Sequence, residues 1–242
     1  MGDLIGNIFH AILYQPFLNA LVALYEFIPG KDFGVAVILL TIILRFVLYP
    51  LSARAFRAQK ALAELQPKVQ EIQEKFKNSK GELSKKLMEL YQKERINPFA
   101  SFLPLLIQFP ILIALFQVFR NGFHPDQLSA LYSFIPRPEY IDSSFFGLLD
   151  LNEKSILVAV LAAAFQYVQG KQSMSLTPKS SSQTGMARAI QGPILYMIPL
   201  MTGFFAAQLP SALGLYWITT SLFSIWQQWN LQRTHNTKPK AP

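Results

Sequence analysis

Residues 36–51, "AVILLTIILRFVLYPL", form an apolar run with one arginine, Arg45, set inside it. Without that arginine the stretch reads as a membrane span, because about 20 apolar residues in a helix cross a hydrocarbon core of about 30 Å. An arginine in hydrocarbon costs about 2.5–3.5 kcal/mol on insertion scales. Something must offset it, and the rest of the chain is read with that in view.

Composition supports a membrane class. Of 242 residues, 51% are hydrophobic, twenty are Phe, and only 15% are charged. A soluble domain carries about 25% charged residues. Charge is segregated from apolar runs along the chain, as in a multispanning protein. The chain holds no cysteine, which excludes disulfides, thiolate metal sites and a cysteine nucleophile. Its three histidines, His10, His124 and His235, lie far apart, so no metal site and no cofactor site is expected.

Working outward from Arg45, five spans are predicted: 33–52, 99–120, 155–171, 190–207 and 210–230. Residues 1–32 begin with no basic group, unlike a cleaved signal, and their apolar pattern is broken by Asn7, His10, Gln15, Pro16, Asn19 and Glu26. An interfacial amphipathic helix is expected there, with an extra span as the alternative. The segment 53–98 carries an apolar seam at Leu62, Leu65, Val69, Ile72 and Phe76, then Leu83, Leu87, Leu90 and Tyr91. It predicts an antiparallel helical hairpin, with Pro67 kinking or dividing the first arm and Ser79 to Glu82 forming a capping box before the second. The remaining pieces are loops at 121–154 and 172–189 and a tail at 231–242. The fold class is therefore an all-α membrane protein: five transmembrane helices, a cytoplasmic hairpin and an N-terminal interfacial helix.

Orientation follows from the cations. Seventeen Lys and Arg fall in the hairpin, the 171–189 loop and the tail, against four in the other loops. The positive-inside bias puts residues 1–32 outside and the C-terminus in the cytoplasm. The net charge of +8 thus reports topology rather than a DNA-binding surface, although a basic cytoplasmic face also suits RNA or anionic headgroups.

No acidic residue occurs in any predicted span, so Arg45 has no internal salt-bridge partner there. Thr41 and Tyr49 share its helix face at i−4 and i+4. Gln108, Gln117, Gln166, Thr219, Thr220 and Ser221 supply amides and hydroxyls from other spans. Two readings stand: Arg45 snorkels to the headgroups, or it faces a wet concavity and awaits a transient anionic or hydrated ligand. No nucleotide-binding loop, nucleophile elbow or catalytic triad is present, so no catalytic residue and no enzyme activity is expected.

Three stretches carry a family resemblance: "ILLTIILRFVLYPLSARAFRAQKALAELQPKVQEIQEKF", "LMELYQKERINPFASFLPLLIQFPILIALFQVF" and "LPSALGLYWITTSLFSIWQQW". They resemble the YidC/Oxa/Alb membrane protein insertases from about residue 33 onward. The resemblance implies a five-helix core around a hydrophilic groove in a bacterial plasma (inner) membrane, without the large external domain of many Gram-negative members. It implies Arg45 as the groove arginine, Thr41 and Trp217 as substrate-contacting positions, and Gln108 as the second-span glutamine. With Gln166 and Thr220 these form the candidate groove set. The implied function is insertion of nascent membrane proteins without nucleotide hydrolysis. Implied partners are those chains and the bilayer, with the ribosome and the general secretion channel as candidates. An assembly chaperone alone, or a small anion channel or carrier, is the rival function.

Overall fold

The computed structural model describes residues 2–97, 103–121, 127–174 and 185–236. Most of the 172–189 loop and the tail beyond Asn236 lie outside the described residues. Nine α-helices occur among those described: α1 (Gly2–Phe9), α2 (Gln15–Phe27), α3 (Phe33–Val47), α4 (Tyr49–Lys75), α5 (Lys80–Lys93), α6 (Leu103–Asn121), α7 (Ile156–Met174), α8 (Gly185–Gln208) and α9 (Ser211–Asn236). A π-helical turn, His10–Tyr14, joins α1 to α2. A two-stranded antiparallel ribbon, β1 (Ser144–Phe145) and β2 (Leu149–Asp150), was not anticipated from sequence.

The chain starts α3 where Asp32 accepts a hydrogen bond from the Val35 amide (2.8 Å), an N-cap. It ends α3 at Val47, five residues short of the expected boundary, and α4 leaves at a 63° bend. Pro50 explains this: it lacks an N–H for the Phe46 carbonyl, and its ring crowds that carbonyl. Pro67 neither divides nor ends α4, which runs on to Lys75. It sits on the exposed face of the helix. Ser79 does occupy the N-cap of α5, its carbonyl accepting from the Leu83 amide, but its side chain makes no capping bond. The capping box is thus present as a boundary and not as a pair of bonds. Lys68 of α4 reaches Glu94 just beyond α5, so the two arms lie alongside each other.

Two packing regions hold the bundle. The larger core joins α2, α3, α6 and the start of α9 around Leu18, Leu21, Phe33, Val37, Leu115 and Leu213, all buried. Phe33 meets Phe119 and Tyr25 edge-on. The smaller core is a seam of small residues, Ala159, Ala162 and Ala206, between α7 and α8. There α9 comes so close to α7 that a Cβ on Gly214 would sit 2.5 Å from Val158 Cγ1.

Of the described helices, only Gly6–Phe27 is by itself long and apolar enough to cross a membrane; α3 with α4 passes as a bent pair. Two of the polar residues that interrupt this N-terminal pattern, Gln15 and Asn19, have partners in the 121–154 loop, as does Tyr25. Asn19 accepts the Tyr132 amide and donates to the Ala130 carbonyl, Gln15 also donates to Ala130, and the Tyr25 hydroxyl accepts the Asp142 amide. Hereafter the end of the bundle carrying this loop is the loop end, and the other the hairpin end.

Candidate functional site

Between the hairpin-end halves of the helices lies a cavity of about 520 Å³. Five of the six residues singled out from sequence line it: Arg45, Gln108, Gln166, Trp217 and Thr220. Thr41 does not. It is buried in packing, and its hydroxyl donates to the Val37 carbonyl at 2.7 Å, so its polarity is spent within its own helix.

Arg45 stands two residues from the end of α3 and is half-buried. Its Nη2 donates to Gln108 Oε1 at 2.9 Å, and Gln108 Nε2 donates to the Tyr216 hydroxyl. This chain ties α3, α6 and α9 together and directs the guanidinium across the cavity wall. No carboxylate is among the lining residues. The arginine is held by a neutral amide, which orients the charge without cancelling it.

The rest of the lining is amide, hydroxyl and apolar. From α7 come Gln166, Gln169 and Ser173; from α4, Ser52, Phe56 and Gln59; from α8, Thr202 and Ile198. The α9 contribution is a stripe at helical spacing: Trp217, Thr220, Ser224, Gln227, Gln228 and Leu231. Several of these groups brace one another. Gln166 accepts from Ser221, Gln228 pairs with Ser173, and Gln227 pairs with Ser52 while donating to the Tyr49 carbonyl. Thr220 Oγ1 is buried with no hydrogen-bond partner. Gln59, Gln169, Ser173, Gln227 and Gln228 were not picked out from sequence, although the three- and four-residue spacing of polar groups along α7 and α9 carried the signal. Among the described residues no group of three His, Asp or Glu is placed for a metal ion.

Such a site offers no nucleophile, no acid–base pair and no phosphate loop. It offers a fixed cation and a hydrogen-bonding wall beside an apolar one.

The sequence pattern of the family described as 60Kd inner membrane protein matches residues 23–238. This chain belongs to the YidC/Oxa/Alb family. It is 33% identical over 202 residues to a membrane protein insertase YidC of Oceanobacillus iheyensis, covering 82% of this chain and 73% of that one. It is 36% identical over 199 residues to one of Clostridium tetani, covering 82% and 81%. Against one of Francisella tularensis subsp. novicida it is 31% identical over 209 residues, 86% of this chain and 34% of that longer protein. Family membership places the chain among inner membrane proteins and accords with its mostly helical structure.

Proposed function

We propose that this protein inserts nascent membrane proteins into the bacterial inner membrane, using the Arg45 cavity as a hydrophilic groove. The observation that carries the reading is the unneutralised guanidinium in an amide- and hydroxyl-lined cavity, supported by relatives named as insertases. In this reading α3, α6, α7, α8 and α9 are the five spans and the α4–α5 hairpin lies in the cytoplasm. The N-terminal helix lies on the outer end rather than crossing. Its long-range side-chain hydrogen bonds, from Gln15, Asn19 and Tyr25, run to loop residues 130–142, which supports that placement although its length alone would allow a crossing.

A short polar segment of the incoming chain enters from the cytoplasm, exchanges its hydration for the groove's amides, and is drawn to Arg45 where it is acidic. Its apolar helix partitions into lipid meanwhile. No nucleotide is hydrolysed; the drive is apolar transfer, with the membrane potential adding about 2.3 kcal/mol per charge per 100 mV. The ribosome and the general secretion channel are the candidate partners for delivering that chain.

The test is reconstitution with a single-span substrate bearing an acidic translocated tail, scored by protease protection. Arg45→Ala and Arg45→Glu are expected to lower protection of that tail, the latter more, and to spare a substrate with a neutral tail. Equal protection by all three proteins would sink the electrostatic role. A protein that only assists assembly would leave the tail unprotected even with Arg45 intact.

A further inference from the structure

The ribbon at the loop end has no part in the groove. Its strands pair Ser144 with Asp150 and Phe145 with Leu149. The turn between them places Phe146 (φ 51°) and Gly147 (φ 67°) in the left-handed region, with the Leu148 amide closing on the Phe145 carbonyl. Two successive positive φ values are what a tight primed turn demands, and Asn, Asp or Gly are the residues that adopt them readily. A phenylalanine in this place is strained. The strain is associated with display: Phe146 is 68% exposed and Leu148 is 89% exposed.

The ribbon is also held firmly. Asp32, which caps α3 with Oδ1, accepts the Phe146 amide with Oδ2. Phe145 packs over Gly34 so closely that a Cβ there would lie 2.1 Å from its ring. At the ribbon's base Ser143 accepts the Leu151 amide, and Leu151 in turn accepts the Ala212 amide at the start of α9.

These contacts fix the depth of the tip, since Phe146 is bonded to the first cap of a span. That span, α3, has 15 residues. It is therefore about 22 Å long, shorter than a hydrocarbon core of about 30 Å. A group bonded to its cap thus stands at the headgroup–acyl boundary rather than out in water. The first turn of α7, which begins five residues after Leu151, also exposes Ile156 and Leu157.

We propose that the Phe146–Leu148 tip is a lipid mooring, inserted into the headgroup–acyl boundary of the leaflet at the loop end. This rests on the membrane placement proposed above and assigns the ribbon a partner separate from the insertion substrate. Aromatic and aliphatic side chains on a fixed polar backbone suit that boundary, where an apolar body and hydrated amides are both satisfied.

The chain has no cysteine, so Leu148→Cys creates a single site for an environment-sensitive fluorophore. The full-length labelled protein is reconstituted in phosphatidylcholine–phosphatidylglycerol vesicles. Quenching is read with lipid carrying a nitroxide near the headgroup end of its acyl chain, and with iodide on both sides of the membrane. Val160→Cys on the exposed face of α7 is the lipid reference, and Met88→Cys on α5 the water reference. The label at 148 is expected to lose most of its emission to lipid nitroxide and little to iodide, as at 160. Quenching by iodide and not by lipid, as at 88, would overturn the mooring while leaving the membrane placement intact. If 160 is also insensitive to lipid nitroxide, the membrane placement fails and the mooring with it.

Discussion

Arg45 and Gln108 form the hinge of the site at the scale of single residues. Replacing Gln108 by Leu removes the amide that orients Arg45 and also leaves the Tyr216 hydroxyl without its donor. Unpairing a buried polar group costs about 1–3 kcal/mol. Gln108→Leu is therefore expected to lower the melting temperature in detergent and to reduce insertion of acidic-tailed substrates, while Gln108→Glu, which supplies a resident anion to Arg45, should keep the fold and still reduce insertion. Gln70 presents the opposite case. It is buried on α4 with both amide atoms unpaired, so Gln70→Leu should raise the melting temperature. Arg45, Gln108, Gln166 and Thr220 stood out in the sequence as polar groups inside apolar runs, whereas Gln59, Gln169, Ser173, Gln227 and Gln228 did not. Thr41 shares a helix face with Arg45 but lies outside the cavity, because i−4 spacing reports a shared face and not where a hydroxyl bonds. Gln70 was not legible, since a glutamine in an amphipathic helix reads as solvated.

Elements show which local rules were overruled. The 33–52 expectation counted apolar residues past Pro50, but a proline inside the next turn cannot accept continuation of the ladder, and the helix turned at Leu48. Pro50→Ala should restore that ladder and lengthen the distance between spin labels at positions 38 and 66. In the hairpin, Lys68 holds the Glu94 carboxyl below the usual carboxylate range through a direct hydrogen bond. A carboxylate with a lowered folded pKa stabilises the fold above its ordinary pKa, and that contribution disappears as pH falls through the lowered value. Lys68→Ala should return Glu94 to the ordinary range, read by carboxyl NMR titration; an unchanged value would show that the pair is absent in solution. The β ribbon left almost no sequence signal: its "FFGL" turn contains one glycine and lacks the Asn-Gly or Asp-Gly pair that marks such turns.

For the whole molecule, the mostly helical class was readable from charge segregation and periodicity. How the N-terminal helix sits was not, because Gln15, Asn19 and Tyr25 meet partners more than 100 residues away. Close packing between α7, α8 and α9 was equally hidden, residing in glycines and alanines that carry no hydropathy signal. Gly214→Leu should open the α7–α9 contact at Val158 and lower thermal stability far more than Gly81→Leu, since nothing lies within 4 Å of a Cβ at Gly81. The helix α3, proposed above as a span, is only 15 residues long. A bilayer matched to it is thinner than average, so insertion is expected to run faster in vesicles of short-chain lipids than in long-chain ones at equal surface charge. A rate independent of chain length would remove local thinning from the mechanism.

The Ser52–Gln227 pair pins the root of α4 to α9 immediately beyond the bend at Leu48. From the bend, α4 extends over 27 residues. At 1.5 Å per residue its arm is about 40 Å long, whereas Phe56 on the groove stands only about 10 Å from the pivot. A swing of about 10° would carry the far end by about 7 Å and Phe56 by under about 2 Å. Any swing of α4 about that bend would therefore be scaled down about fourfold between its far end and the cavity wall.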